Sequence, residues 1–310
     1  MRISIYLLAV FSIAFFACTK KEALPSAEAI IKEIKEKYAP DSRVAFFNLN
    51  AEQQADKLVI KGSTVSKEAH GALFERLEKE KIQAFDSVEV LPSPALQGDL
   101  FGIVNVSVCN IRSQPKHAAE LATQALLGTP LRVWKKEGGF YLVQTPDDYF
   151  GWLDSGGFTR MDENDYTATL RSERIICTKD MDYAYASADE NGAVVSDLVA
   201  GNILQSIENQ GIFTKVKFPD GRQAFVKSTN TMPLRTWLDS RQPDAGHIIA
   251  TARAMMGRPS LWGGTSGKGM DCSGFTKTAF YLNGLQLPRD ASQQVHPGLA
   301  IDTDTTLKNL

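Results

Sequence analysis

Few side chains in this sequence are suited to metal or thiol chemistry. Its 310 residues include four cysteines and four histidines, and no group of them has the spacing of metal ligands, so we predict no metal site and no cofactor. The sequence also lacks an excess of either charge, with 34 basic and 36 acidic residues and a net charge of −2. Nucleic-acid binding generally requires a basic excess, and we therefore predict no nucleic-acid partner.

The amino terminus combines a positive residue with a short apolar run. The residues from Ile3 to Ala17 carry no charge and follow Arg2, a pattern that is short for a membrane span and typical of an export signal. Phe15 to Cys18 resembles a loose lipobox, in which cleavage leaves Cys18 as a lipid-modified terminus. Residues 1–18 are therefore predicted to be a signal peptide with a lipobox, which would anchor an exported protein in the cell envelope. A plain signal peptide with an incidental cysteine is the alternative.

Three cysteines remain in the mature chain, namely Cys109, Cys177 and Cys272. An odd number of thiols in an exported protein often leaves one of them free and reactive. Cys109 and Cys177 could form a disulfide, or each could be buried as an isolated thiol. Cys272 is the candidate for the free, reactive thiol.

The length predicts two or more domains, and the first is expected over residues 19–97. Helical spacing of apolar residues and short alternating runs indicate a small α+β domain. Its helices are predicted at Ser26–Lys37 and Ser66–Lys81, and its strands at Val44–Leu49, Lys57–Gly62 and Val88–Leu91. No motif in this region carries chemistry.

From Leu100 the pattern changes to short alternating runs separated by turn residues, which is typical of small β-barrels. A shift of 73 positions superimposes Gly128 on Gly201 and Phe140 on Phe213 without a gap. We predict two copies of one fold, at residues 98–162 and 163–234.

A polar segment, Arg235 to Pro243, is predicted to be a linker. Residues 244–310 then begin with a helix from Ala245 to Gly257, and a second helix is predicted from Ser273 to Leu282. A glycine-rich loop lies between the two helices.

Cys272 lies where this loop meets the second helix. A thiol at a helix amino terminus lies beside unpaired N–H groups and the positive end of the helix dipole, which favour the nucleophilic thiolate. Glycines such as Gly263 and Gly264 allow a substrate backbone to approach closely. This position suits covalent attack on a carbonyl. The alternative is a buried, inert cysteine in a turn of small residues.

Two sets of motifs resemble known families. Asn110–Pro115, Glu120–Gly128 and Tyr149–Trp152 resemble segments of bacterial SH3-like barrels. The sequence D-C-S-G-F at Asp271–Phe275 and the segment Leu287–Gln294 resemble the NlpC-type cysteine peptidases, papain-like enzymes that cleave peptidoglycan stem peptides. Together with the small α+β domain at residues 19–97, the resemblance implies a multidomain protein that has two SH3-like β-barrels and an incomplete papain-like α+β catalytic domain.

The same resemblance implies roles for individual residues. Cys272 would be the nucleophile, and the substrate-binding residues would be Glu120, Tyr149, Ser273 and Asp290. The carboxylates and the phenol would meet the free amine of a stem peptide, where an unpaired ammonium is costly. Asp290 could instead cap a helix or pair with Arg289. The subgroup commonly has serine after this aspartate, whereas this chain has alanine.

A cysteine peptidase also needs a histidine base. The family places it on a strand well beyond the nucleophile, and none of His70, His117, His247 and His296 matches that position. We therefore expect the chain to be an incomplete copy of the peptidase domain, with its base outside these 310 residues and no hydrolysis by this form alone.

The predicted function is hydrolysis of the γ-D-glutamyl–diamino acid bond in murein peptides that have a free amino-terminal L-alanine. The expected partners are murein peptides or peptidoglycan, with membrane contact through the lipid anchor, and a monomer is expected. The alternative is a peptidoglycan-binding lipoprotein that uses its SH3-like barrels and carries an inactive peptidase remnant.

Overall fold

The structure, a computed structural model, describes residues 23–298. The chain divides into two compact units, Met1–Gln97 and Gly98–Leu310. The predicted export segment and Cys18 lie outside the described residues. Across residues 23–298, no helix is both long and apolar enough to cross a membrane.

In the amino-terminal unit, two helices share one apolar core with a three-stranded sheet. The elements are α1 (residues 23–38), β1 (Phe47–Gln54), β2 (Lys57–Thr64), α2 (Lys67–Lys79) and β3 (Ala84–Val90). The strand order is β1-β2-β3, and α2 provides the crossover that the parallel pair β2–β3 requires. Helix α2 begins after Ser66, whose hydroxyl accepts a hydrogen bond from the Ala69 N–H at 3.0 Å. The predicted α+β architecture is present, although its third strand begins at Ala84 rather than Val88.

Residues 98–162, which we call the first repeat, form one seven-stranded sheet. The strands are β4 (Phe101–Val104), β5 (Val108–Arg112), β6 (Leu121–Leu126), β7 (Pro130–Glu137), β8 (Phe140–Gln144), β9 (Phe150–Asp154) and β10 (Phe158–Met161). Their order in the sheet is β10-β4-β7-β8-β9-β5-β6. Ile111, Leu142 and Leu153 are almost fully buried, so the sheet encloses an apolar core of its own.

Residues 163–234, the second repeat, begin with helix α3 (Glu163–Arg171) and form another seven-stranded sheet. The strands are β11 (Arg174–Cys177), β12 (Met181–Tyr185), β13 (Val194–Val199), β14 (Ile203–Gln210), β15 (Phe213–Lys217), β16 (Gln223–Lys227) and β17 (Thr231–Pro233). Their order is β13-β12-β16-β15-β14-β11-β17. Read from its other end, this order is the order of the first sheet, with β4 to β10 replaced by β11 to β17.

The two repeats agree in detail as well as in topology. Each strand from β11 to β16 begins and ends 73 residues after its counterpart among β4 to β9. The pairing register shifts, as it does at a β-bulge, between Ile111 and Arg112 in the first repeat and between Ala184 and Tyr185, at the same offset, in the second. Because bulges fix strand register and twist, the shift of 73 positions is a repeat of structure as well as of sequence.

The predicted linker after the second repeat contains a helix, α4 (Leu234–Asp239). Its Trp237 is 5% exposed, and the Arg241 guanidinium lies over the indole ring at 4.9 Å. Burial of one aromatic side chain orders this polar segment against its neighbours.

The carboxyl-terminal segment, residues 244–298, contains three helices and a short hairpin. The elements are α5 (Ala245–Ala254), β18 (Thr265–Ser266), β19 (Gly269–Met270), α6 (Cys272–Tyr281) and α7 (Ala291–Gln294). Met255, Met270 and Ala279 form its small core, with Ile248 and Phe275 packed against it. The hairpin contacts β6 of the first repeat, which places the start of α6 next to that sheet.

Candidate active site

Cys272 is the first residue of α6, and its side chain is exposed. The preceding residue, Asp271, is the helix N-cap, and its Oδ1 accepts a hydrogen bond from the Gly274 N–H at 2.7 Å. An aspartate here satisfies one of the free N–H groups of the first turn. The thiol therefore lies at the capped end of a helix, and this helix begins one residue earlier than the sequence predicted.

The Asp271 carboxylate also fixes the loop in front of the helix. Its Oδ2 accepts a hydrogen bond from the Gly263 N–H at 2.9 Å. Its Oδ1 accepts a further one from the Ser273 hydroxyl at 3.2 Å. One side chain thus connects the glycine-rich loop to the first turn of α6 on both sides of the cysteine.

Arg289 holds this carboxylate from the protein interior. The side chain is 1% exposed, and its Nη2 donates to Asp271 Oδ2 at 2.7 Å. Its Nη1 donates to Asp271 Oδ1 at 3.2 Å and to the Ser273 hydroxyl at 2.9 Å. Such a two-pronged guanidinium–carboxylate contact restricts orientation more than a single hydrogen bond does.

The charge of Asp271 is stabilised in this setting. Burial raises the pKa of this carboxyl, but the hydrogen bonds from Arg289 and from the Gly274 and Gly263 amides outweigh burial, and the net pKa lies below the ordinary value. Asp271 therefore remains an anion, and a hydrogen-bond acceptor, at neutral pH.

At two positions near the cysteine, a neighbouring backbone segment approaches so closely that there is room for glycine only. A Cβ at Gly274 would lie 2.0 Å from the Gly264 carbonyl oxygen, and one at Gly263 would lie 2.1 Å from the Leu121 carbonyl oxygen. Gly263 also has a φ of +78°, a conformation that side chains with a Cβ rarely adopt. The predicted role of these glycines, close approach of a substrate, is accompanied by a packing role within the protein.

Glu120, a predicted substrate-binding residue of the first repeat, reaches the cysteine loop. The Trp262 Nε1–H donates to Glu120 Oε1 at 2.6 Å. The indole is 72% exposed, and it lies in the same loop as Gly263. The first repeat thus places a carboxylate beside the glycine-rich loop that precedes Cys272.

The other predicted binding residues have different surroundings. Ser273 is 7% exposed, and its hydroxyl bonds to Asp271 and Arg289. Asp290 is the N-cap of α7 and takes part in a capping box with Gln293, and it lies 4.0 Å from Arg289 Nη1. Tyr149 is 7% exposed, in the first repeat. Asp290 therefore has both of the structural roles that the sequence left open.

The sequence predicted Arg289 only as a possible partner for Asp290, and it predicted no role for Trp262. The structure joins Arg289 to Asp271 and Ser273, and it joins Trp262 to Glu120. In the sequence, Arg289 stands between a proline and the residue that caps α7. This local context does not show that its side chain is buried.

The two other described thiols are unpaired and buried, which answers the open question of a disulfide. Burial raises the pKa of Cys109 to about 12 and that of Cys177 to about 11. Thiols of this kind are poor nucleophiles at neutral pH. Among residues 23–298, Cys272 is the accessible thiol.

Three histidines are each paired with a carboxylate. His70 Nε2 lies 2.8 Å from Asp86 in the amino-terminal unit. His117 lies 3.6 Å from Asp154, and His247 lies 2.9 Å from Asp244, the cap of its own helix. His296 is exposed beyond α7. In the described part of the chain, no group of histidine, cysteine and carboxylate side chains could hold a metal ion.

An exposed thiol at a capped helix start, beside a β-domain that contributes a carboxylate, has the layout of a thiol-dependent hydrolase. Residues 257–308 match the NlpC/P60 family, and residues 111–157 match the bacterial dipeptidyl-peptidase Sh3 domain. The chain therefore contains a segment that matches the NlpC/P60 family, and a segment that matches the bacterial SH3 domain precedes it.

The chain is homologous to two proteins named gamma-D-glutamyl-L-lysine dipeptidyl-peptidase. It is 30% identical to that of Bacillus cereus over 61% of this chain and 58% of the relative. It is 28% identical to that of Bacillus subtilis over 59% of this chain and 60% of the relative. The chain thus matches less than two thirds of the length of either relative.

Two solved structures share the fold. An NlpC/P60 family protein from Bacillus cereus is 24% identical with a TM-score of 0.58, covering 65% of this chain and 78% of that one. An NlpC/P60 endopeptidase from Photobacterium damselae subsp. piscicida is 22% identical with a TM-score of 0.50, covering 66% of this chain and 47% of that one.

Proposed function

We propose that the protein is a cysteine peptidase of the NlpC/P60 type that acts outside the cytoplasm on murein peptides. Its substrate would be a stem peptide with a free amino-terminal L-alanine, cut at the γ-D-glutamyl–diamino acid bond. The observation that carries the proposal is the exposed Cys272 thiol at the start of α6, held by Asp271 and Arg289 beside Glu120 of the first repeat. The names of the relatives support the choice of bond.

In this proposal the Cys272 thiolate attacks the γ-carbonyl carbon of D-glutamate. A C–S bond forms, the carbonyl becomes an oxyanion, and the C–N bond to the diamino acid then breaks as the leaving amine takes up the proton that the thiol released. Water hydrolyses the resulting thioester, which breaks the C–S bond, frees the γ-carboxyl group of D-glutamate and restores the thiol. The N–H of Cys272, at the first position of α6, is suited to stabilise the oxyanion.

Glu120 and Asp290 would recognise the ammonium group of L-alanine, with the Tyr149 phenol completing the set. Ser273 is assigned an indirect part, because its hydroxyl is occupied by Asp271 and Arg289. None of His70, His117 and His247 is assigned as the base, since each is already paired with a carboxylate.

The test is hydrolysis of L-Ala-γ-D-Glu-diaminopimelate and of its N-acetylated form, followed by chromatography of the released products. We expect the full-length natural protein to cleave the free peptide at least about 100-fold faster than the acetylated one, because an ammonium removed from its carboxylates forfeits on the order of 3 kcal/mol. C272S should abolish cleavage, and C177S, which alters a buried thiol, should leave it unchanged.

Equal cleavage of both peptides would contradict the ammonium recognition. Cleavage of neither would contradict the peptidase, and co-sedimentation of that inactive protein with peptidoglycan sacculi would then favour the binding lipoprotein.

We also propose that Cys18 carries a lipid anchor, as the lipobox-like segment predicts. Cells supplied with an alkyne analogue of palmitate should label the protein, and C18S should lose the label while C109S keeps it. An unlabelled natural protein would rule out the anchor.

A further inference from the structure

The hairpin β18–β19 leads directly into Asp271 and Cys272. Its two strands are Thr265–Ser266 and Gly269–Met270, and its turn contains Lys268. Because Asp271 follows β19 without an intervening residue, any displacement of this hairpin moves the cap of α6 and the thiol with it.

The first repeat holds the base of the hairpin through Gln124 on β6. The Thr265 N–H and the Ser266 hydroxyl each donate to Gln124 Oε1 at 3.0 Å. The Thr265 hydroxyl donates to the Gln124 carbonyl at 3.1 Å. These contacts are buried and involve no charged group.

The second repeat holds the turn of the hairpin through Asp197 on β13. Lys268 Nζ lies 2.6 Å from Asp197 Oδ2 and donates to the Ser107 hydroxyl at 2.9 Å. The Ser107 hydroxyl in turn donates to Asp197 Oδ1 at 2.9 Å. The three side chains close a ring that joins both repeats to the hairpin.

A second ionic contact lies beside the first. Arg258 Nη2 lies 2.6 Å from Asp180 Oδ2, in the β11–β12 loop of the second repeat. Its Nη1 donates to the Gly267 carbonyl in the hairpin turn at 3.4 Å. Arg258 therefore connects the second repeat to the residue before Lys268.

The contact residues occupy equivalent positions in the two repeats. Asp197 follows Gln124 by 73 positions, and Asp180 follows Ser107 by 73 positions. The same two sites of each repeat thus face the carboxyl-terminal segment. They are neutral in the first repeat and carboxylates in the second, where Lys268 and Arg258 supply the opposite charges.

From this equivalence we infer that the second repeat is a positioning element for the thiol, and that Asp197 and Asp180 act through Lys268 and Arg258 to fix the hairpin turn. The inference rests on the proposed function of Cys272 as the nucleophile. The Gln124 hydrogen bonds fix the base of the hairpin. The ionic contacts of Lys268 and Arg258 fix its turn, and together these contacts hold the thiol in one geometry.

The test compares D197N, K268M and the exchanged pair D197K/K268D. For each variant we would measure kcat and KM for the stem peptide and the melting temperature. The rate at which iodoacetamide alkylates Cys272 would be followed by the mass of the proteolytic peptide that contains this residue. We expect each single variant to lower kcat and the alkylation rate about three- to tenfold. KM should stay within about twofold of the natural value, and the exchanged pair should recover most of both rates.

The matched control is the ion pair of Lys227 with Glu190 in the same repeat, where E190Q and K227M should leave both rates unchanged. If the natural protein cleaves the peptide and D197N and K268M match it in both rates, positioning by the second repeat is wrong and the peptidase stands. If it cleaves no peptide but the single variants still slow alkylation and the exchange restores it, the positioning stands and the peptidase is wrong. Equal loss in the exchanged pair would overturn the ionic contact.

Discussion

The Asp271 carboxylate accepts five hydrogen bonds, which come from the Gly263 and Gly274 amides, the Ser273 hydroxyl and two nitrogens of Arg289. Arg289 itself is buried, and its Nε has no hydrogen-bond partner within residues 23–298. Burying two charges is costly, and a buried ion pair is often no more stable than an apolar replacement. The geometry at the cysteine is therefore a better explanation of this pair than stability is.

At this scale we predict that R289M strongly destabilises the protein, because it leaves the Asp271 anion buried without its ionic partner. The expected loss in the free energy of unfolding is on the order of 3–5 kcal/mol, measured by urea denaturation at pH 7. R289K should recover part of it, since an ammonium supplies the charge without the two-pronged contact.

The pH dependence of this loss has a definite sign. The folded-state pKa of Asp271 is lowered, so its contribution is present above the unfolded value, near 4, and disappears as the pH falls through the folded value. The difference between R289M and the natural protein should therefore narrow in acid. The control is R235M, whose side chain is 94% exposed and which should change stability by less than about 0.5 kcal/mol. Equal urea midpoints for R289M and the natural protein would show that the clamp does not anchor the site.

The residue types at the site were readable from the sequence, but their orientations were not. A cysteine after a glycine-rich loop predicted a thiol at a helix start, because that signal is local. The inward orientation of the Ser273 hydroxyl depends on Arg289, which is distant in sequence, and no local pattern shows that an arginine is buried. The Glu120–Trp262 contact likewise depends on how one domain meets the next.

At the scale of elements, the repeat was predictable because its signal is periodic. Apolar and turn positions recur at one offset, and strands β4 to β9 and β11 to β16 follow that offset. Short helices were harder to predict. Helix α4 lies in a polar segment and is ordered by Trp237 alone, and helix α3 has no buried residue. Neither helix therefore has the apolar stripe by which a helix is recognised in a sequence.

At the scale of the whole molecule, polar contacts join the repeats to the carboxyl-terminal segment. The most buried ion pair among these contacts joins Lys277 on α6 to Asp147 in the β8–β9 turn, and its side chains are 13% and 7% exposed. Lys277 also donates to the Leu287 carbonyl at 3.1 Å. This pair fixes the middle of α6 to the first repeat, while the hairpin and Asp271 fix its beginning.

We predict that D147N and K277M each destabilise the protein by about 3–5 kcal/mol, because each leaves one buried charge unpaired. The double variant D147L/K277M should be close to the natural protein in stability.

Burial lowers the pKa of Lys277, and Asp147 opposes that effect. In D147N the folded-state pKa falls further below the unfolded value of about 10.4. The folded protein then releases this proton at a lower pH than the unfolded chain does, so the stability of D147N should rise, and its deficit narrow, as the pH increases toward that value. Urea denaturation at pH 7 and pH 10 measures both effects.

The control is E52Q, which removes an ion pair with Lys61 whose side chains are about 40% exposed. This variant should lower the free energy of unfolding by less than about 1 kcal/mol. Additive losses in the double variant would show that the two charges do not act as a pair.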